Sequence, residues 1–365
     1  MQRTEIEELA EQATLSALLR DSMSLEAIRG WLRPGDFAAP WHREVFTTIL
    51  ERHVAGLPVD VITVAEALRA RVGALQARRP DLTTLPSIAP TRPVVDEYAR
   101  MVLDFALRRE IDGLGVLLRA GAVQAGVDGR SVPLTQTCNV VDAGLESAAR
   151  RWATATGTRH DETVVPLSTR AAAHSWEARE SAARYLDANP PRNPEVERRH
   201  VVELVGALIT HPEAIDDVSA WLPVSRIPDP GWRFIYGTTV ELAELGKPVD
   251  LVTVAWATYQ HSHHGPSLPG LNELRMAVDA AWCVSPHVAA RVVAIDQARL
   301  LADTGAKQLH DAALNPGVLV EDLVDTGHLI TTALRRIATV LPADAGGNGR
   351  VVALPTAART QAVSR

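Results

Sequence analysis

The chain has little of what most enzymes, metalloproteins and membrane proteins display. Its 365 residues hold only two cysteines, Cys138 and Cys283, too far apart for metal-ligand spacing. They are expected to be buried or partly buried thiols, unpaired in a reducing compartment. No run approaches the ~18 apolar residues of a membrane span. The acidic opening Glu5-Ile6-Glu7-Glu8 lacks the plan of a signal peptide, so the expected setting is cytoplasmic, with no membrane partner. Lysine is almost missing: of 37 basic residues only Lys247 and Lys307 are lysines, a compositional bias towards arginine. Phosphate cradles are missing too. The one Gly-Lys pair, Gly246-Lys247, lacks both the upstream glycine and the following Ser/Thr of a Walker A loop. No G-x-G-x-x-G, G-x-S-x-G or H-E-x-x-H occurs. No catalytic residue, cofactor or metal is therefore assigned, and an enzyme would need a less conspicuous site.

What is present is globular composition, 46% apolar and 22% charged, over a length that suits two or three domains. The net charge of −7 is uneven. Residues 1–152 carry 18 basic and 20 acidic groups, whereas residues 196–340 carry 11 and 17. The second region repels a phosphate backbone at long range, so DNA is expected to be touched weakly or indirectly. The first is nearer neutral, and Arg69/Arg71/Arg78/Arg79 or Arg108/Arg109 are read as solvated helix faces able to touch phosphate.

The chain also repeats itself. Gly56 to Ala65 reads GLPVDVITVA and Gly246 to Ala255 reads GKPVDLVTVA, 190 residues apart. At that offset 16 of the 51 positions from Ala17 to Ala67 are identical. A unit this long means two copies of one domain, since solenoid periods run ~20–50 residues.

Apolar spacing is helical almost throughout. Ser24 is placed to cap a short helix over Leu25, Ile28 and Leu32, stopped by Pro34-Gly35. Another helix runs from Trp41 to Gly56, whose glycine suits a left-handed C-cap. Pro58 turns the chain, and Asp60 suits the N-cap of the helix carrying Val61, Val64 and Leu68. Gly56, Pro58 and Asp60, with Gly246, Pro248 and Asp250, are thus read as a structural cap-turn-cap motif. A long helix follows from Val94, breaking at Gly121 to Pro133 before a second one over Thr135 to Arg151. The later equivalents are His287 to Leu314, a turn at Asn315-Pro316-Gly317, and Val318 to Val340. The fold class is all-α: two copies of a small helical head followed by a helical hairpin, over 1–152 and 196–340. Residues 153–195 read as a linker with one helix near Thr169 to Leu186, and 341–365 as a disordered tail.

His261, His263 and His264 form the one eye-catching cluster, but they sit in a Gly/Pro/Ser stretch without Cys or acid and read as a solvated loop. Trp31 and Trp221 recur at one position and read as core. Trp232, Trp256 and Trp282, without counterparts, are either core or an exposed partner-binding patch.

The first copy resembles the N-terminal domain of DnaB-type replicative DNA helicases. The matching residues are Ala10-Glu11-Gln12, Leu32-Arg33-Pro34, Asp36-Phe37, His42-Arg43, Phe46, Gly56, Pro58-Val59-Asp60, Thr63, Glu66 and Leu68, then Tyr98-Ala99-Arg100, Val102 and Arg108-Arg109. The second copy is degenerate, with LPVSRI in place of the LRPEDF turn and Trp232-Arg233 in place of the HR pair. The resemblance implies a collar module that self-associates through its hairpin and docks primase, apart from the family's ATP-driven motor. Primase or a DnaB-type replicative helicase are the implied partners, and a homo-oligomer is expected. The implied surface comprises Tyr98, Met101, Val102, Phe105, Arg108 and Arg109 with Val288, Val292 and Ile295, the two long helices packing together there. A nucleic-acid-binding regulator using copy 1 and the basic tail is the alternative.

Overall fold

The computed structural model describes residues 2–72, 94–160, 166–261 and 268–342. Among these, α-helix is the only regular element besides short 3-10 turns. The first head comprises α1 (Arg3–Arg20), α2 (Leu25–Ile28), α3 (Pro40–Val54) and α4 (Val61–Val72). The first hairpin is α5 (Val95–Asp128) and α6 (Val132–Thr156), followed by α7 (Leu167–His174) and α8 (Trp176–Ala188). The second head comprises α9 (Pro194–Thr210), α10 (Ile215–Ser219), α11 (Pro230–Glu244), α12 (Leu251–His261) and α13 (Leu271–Ala280). The second hairpin is α14 (Pro286–Leu314) and α15 (Val320–Ala338).

Both heads are built by the same local rules. Pro40 and Pro230 open α3 and α11 in the first turn, where the missing N–H is no loss. Each helix ends on a glycine with φ near +65°, Gly56 and Gly246. The next residue donates back to the helix: Leu57 N–H to the Arg52 carbonyl at 2.9 Å, Lys247 N–H to the Leu242 carbonyl at 3.0 Å. The first core gathers Leu15, Leu18, Leu25, Ile28, Ile49 and Leu68 around Phe37 and Phe46, whose rings lie 4.8 Å apart. The second gathers Leu204, Leu208, Ile215 and Ile235 around Trp232 and Tyr236.

The chain divides into two compact units that do not follow its order. Unit 1 contains residues 1–113, 142–174 and 309–327: head 1, the base of its own hairpin and the tip of the second hairpin. Unit 2 contains residues 114–141, 175–308 and 328–365: head 2, the base of its hairpin and the tip of the first. Each copy is therefore completed by the other's hairpin tip. In unit 2, α5 and α14 run antiparallel and close, for a Cβ on Gly115 would lie 3.1 Å from that of Ala306 and one on Gly126 3.0 Å from Ile295. In unit 1, Arg108 on α5 donates to the carbonyls of Asn315 and Val318 at 2.9 and 2.7 Å.

Four local expectations are corrected. The first hairpin does not break at Gly121; α5 continues to Asp128 and turns at Gly129, where φ is +63°. Gly121 is needed for close approach instead, since a Cβ there would fall 2.3 Å from the Thr137 hydroxyl on α6. The single linker helix is two, α7 and α8, with the Ser175 hydroxyl between them accepting from Ala178 N–H at 3.1 Å. Ser24 does not cap α2; Asp21 caps the preceding 3-10 turn and accepts from the Ser24 hydroxyl. Cys138 is buried, whereas Cys283 is exposed.

Candidate partner-binding surfaces

The repeated motif is a local device in both copies. The Asp60 carboxylate accepts from Ile62 N–H at 2.9 Å and Thr63 N–H at 3.0 Å, and Asp250 accepts from Val252 and Thr253 at 2.8 and 2.9 Å. The Thr63 and Thr253 amides hold these two carboxylates below the usual range. Pro58 contributes its carbonyl to the Thr63 hydroxyl and to the Arg52 guanidinium. These residues therefore shape the α3–α4 and α11–α12 corners, and Pro248 occupies the corresponding turn in copy 2.

Of the residues expected to form the partner surface, Tyr98, Met101, Val102 and Phe105 fall in unit 1 and Val288, Val292 and Ile295 in unit 2. Met101 and Val288 are about half exposed, Val102 is buried, and Phe105 lies under the Arg3 guanidinium, 5.6 Å from its ring centre. The expected pairing of these two helix stretches is replaced by another register, in which Ile295 faces Gly126, far beyond Phe105. Two antiparallel helices approach most closely where one side is glycine, and that fixes the register.

Arg108 and Arg109 are not a solvated face. Arg108 is buried, ion-paired with Asp104 and bonded to two carbonyls of the second hairpin's tip. Arg109 is paired with Glu7 and donates to the Asp36 carbonyl. Arg71 pairs with Glu44 and Glu51, while Arg78 and Arg79 lie outside the described residues.

The residues that carry the family resemblance in copy 1 form a buried polar lock. Glu11, 1% exposed, accepts from the backbone N–H groups of Ala38 and Ala39 and contacts His42 Nδ1 at 2.6 Å. Asp36 accepts from Arg33 N–H and pairs with Arg151, which also reaches the Trp31 carbonyl and Glu110. Burial pushes the Asp36 carboxyl up, and Arg151 opposes it. At the 190-residue offset, copy 2 has Val201 for Glu11, Trp232 for His42 and Pro228 for Ala38. Val201 and Trp232 are both buried in the second core. Pro228 has no N–H, so the donor that needed Glu11 has gone along with its acceptor. Arg43 and Arg233, identical in both copies, donate to equivalent carbonyls, those of Phe37 and Ile227.

The tryptophans divide. Trp31 is buried and Trp221 half-buried, while Trp232 is core. Trp256 and Trp282 are 60% and 72% exposed. Trp256 lines a groove of about 650 Å³ between α12 and α13, with Val252, Tyr259, Leu268, Leu271 and Arg275. This face differs between the copies: Trp256 and Tyr259 stand where copy 1 has Glu66 and Arg69. Among the described residues no His/Cys/Asp/Glu cluster suits a metal. His261 closes α12, and His263 and His264 lie outside the described residues. No described helix is long and apolar enough to cross a membrane.

Comparison with known proteins bears on both copies. The family described as "DnaB-like helicase N terminal domain" matches residues 4–104 and again residues 189–284. The chain is 35% identical over 126 residues to the replicative DNA helicase DnaB of Mycobacterium leprae, covering 34% of this chain and 20% of that protein. It is 30% identical over 165 residues to that of Leifsonia xyli, covering 44% and 33%, and 32% identical over 107 residues to that of Geobacillus stearothermophilus, covering 28% and 23%. The chain thus spans a third or less of these relatives' length. No solved structure matches. With both heads carrying the family's pattern over more than half of its residues, the chain belongs to the family of DnaB-like helicase N-terminal domains, of which it holds two copies.

Proposed function

We propose that this protein is a non-catalytic, replication-associated scaffold that binds a DnaB-type replicative helicase or primase through its helical heads and hairpins. The observation that carries this reading is the doubled family match, confined in both copies to the helicase N-terminal domain. The exchange of hairpin tips supports it, because both units are completed within one chain and each holds one finished head. The engagement of Arg71, Arg108 and Arg109 by carboxylates and carbonyls, together with the acidic second copy, weighs against nucleic acid as the main partner. The partner surfaces of this reading are the part of α5 around Tyr98 and Met101 in unit 1 and, separately, the part of α14 around Val288 in unit 2.

The test is direct binding of the purified full chain to the replicative helicase and the primase of its own cell, by interferometry at two salt concentrations. Micromolar or tighter binding to one of them, with no ATP hydrolysis by the chain alone, is the expected result. ATPase activity that copurifies with the chain, or binding to DNA alone with a steep salt slope, would overturn it.

A further inference from the structure

We propose that a cavity between head 2 and its own hairpin is a binding site for a small phosphomonoester. The inference is independent of which replication protein the scaffold binds.

The cavity holds about 320 Å³, at the small end of ligand pockets, which run ~300–1,000 Å³. The α10–α11 connection supplies Trp221, Leu222 and Arg226, α14 supplies Gln297, and α15 supplies Arg336 and Ile337. All of them belong to unit 2. Two guanidinium groups and an amide therefore line one small space, and no described carboxylate lines it with them. Neither arginine has an ion pair among the described residues, and the Gln297 amide bonds none of them.

The first copy shows what has changed. There Arg151, on the second helix of the hairpin, reaches the Trp31 carbonyl and is neutralised by Asp36 from the head and Glu110 from α5. At the 190-residue offset Trp31 becomes Trp221 and Asp36 becomes Arg226. The second hairpin still brings an arginine to the cavity that the tryptophan lines, Arg336 on α15, but its first helix brings Gln297 instead of an acid. A place closed by two carboxylates has become one lined by two arginines and an amide. The indole differs as well. Trp31 Nε1 donates to the Ala27 carbonyl at 3.0 Å, whereas half-buried Trp221 makes no such bond among the described residues.

The donor set specifies the ligand. Two guanidinium groups repel each other across a small cavity, and a dianion relieves that repulsion while accepting from both. A carboxylate carries one charge and two oxygens, enough for one arginine. A phosphate monoester carries ~1.5–2 negative charges near neutral pH and three acceptor oxygens, enough for both. Trp221, Leu222 and Ile337 give the esterified group an apolar wall. A polynucleotide is too large for the cavity, and residues 196–340, with 11 basic and 17 acidic groups, repel it at long range. The chain beyond Val340 is tied down at Pro342, whose carbonyl accepts from Ser131 N–H at 3.1 Å.

Phenyl phosphate and phenyl sulfate, alike in shape but not in charge, are titrated into the full chain by isothermal calorimetry at neutral pH. Phenyl phosphate is expected to bind at least tenfold more tightly. Arg226→Asp puts the residue of copy 1 back at its own position. It should abolish binding yet melt no lower than wild type, because the new carboxylate pairs with Arg336 as Asp36 does with Arg151. Arg336→Gln should lose at least tenfold, and Gln297→Leu three- to tenfold. Equal binding by wild type and Arg226→Asp, equal affinity for the two probes, or no binding of phenyl phosphate would each overturn the proposal. Tighter binding of inorganic phosphate, of a phosphoserine peptide or of single-stranded DNA would overturn it in favour of the free ion, a modified protein or a nucleic acid. So would stronger phenyl phosphate binding by Asp344→Asn, which would make the one acidic side chain after Val340 the occupant.

Discussion

Replacing Glu11 by valine removes the acceptor from three donors at once: the N–H groups of Ala38 and Ala39, and the His42 ring. The His42 ring is buried, so water does not substitute there, whereas Ala38 is exposed and Ala39 half-buried. Each unsatisfied buried polar group costs ~1–3 kcal/mol, and each hydrogen bond lost at a solvent-reached backbone N–H ~0.5–1.5 kcal/mol. Glu11→Val alone should therefore lose ~2–6 kcal/mol. Copy 2 supplies the compensation. Adding Ala38→Pro removes one of the two backbone donors, and adding His42→Trp refills the space with the residue found at that site in head 2. Phe37 has φ −74° and ψ 121°, matching Ile227 at −78° and 119°, which precedes Pro228; the backbone is thus already suited to a following proline. The indole N–H of Trp232 has no partner in copy 2, so the triple variant should retain a deficit of ~1–3 kcal/mol. The assay is native-state hydrogen exchange of the α1 and α3 amides, which reports on head 1 separately from head 2. A loss below ~1 kcal/mol for Glu11→Val would refute the lock, with its ~1–3 kcal/mol per orphaned group. A triple variant no more stable than the single one would refute the compensation.

Four further outcomes are expected. Gly206→Ala should destabilise head 2 by ~1–3 kcal/mol or more in thermal melting, because its Cβ would meet the Ala277 carbonyl oxygen at 2.2 Å. The depressed Asp60 carboxyl contributes stability that is fully present above its unfolded value of ~3.9 and lost as pH falls through the lower folded value. The melting difference between wild type and Asp60→Ala should accordingly shrink as pH is lowered through that range. Met101→Asp and Val288→Asp, at half-exposed positions, should leave thermal melting within ~0.5 kcal/mol of wild type while weakening partner binding several-fold in interferometry. A single proteolytic nick in residues 187–194 should leave two fragments that co-elute on native size exclusion and separate only in denaturant, since each unit contains pieces from both sides of the cut.

Much of the architecture is legible in the sequence because it is set locally. The glycine after α3, the aspartate before α4 and their counterparts at α11 and α12 are dictated by backbone chemistry within a few residues. The turn at Asn315-Pro316-Gly317 is likewise visible without tertiary context. Gly121 misled because glycine in a helix has two meanings, a stop or a close approach, and Thr137 on a different helix decides between them. Arg108 reads as surface because nothing in its neighbourhood of the sequence reveals Asn315 and Val318 some 200 residues later, and Arg109 because its partners Glu7 and Asp36 lie far earlier in the chain. The pairing of the hairpins was visible as a possibility, but its register depends on where glycines let two helices meet, which apolar periodicity does not encode. The α12 face is legible only as a difference between the copies, Trp256 and Tyr259 in place of Glu66 and Arg69.

The reciprocal exchange of hairpin tips imposes an order on synthesis. Head 1 and the base of its hairpin leave the ribosome first, yet unit 1 needs residues 309–327 to be complete. At translation rates of ~5–20 residues per second, about 8–30 s separate residue 174 from residue 327. During that interval the carbonyl partners of Arg108 do not exist, and the flank of α5 that will receive them stands open. Head 1 is thus made early but finished late, since its buried arginine waits for carbonyls encoded some 200 residues downstream.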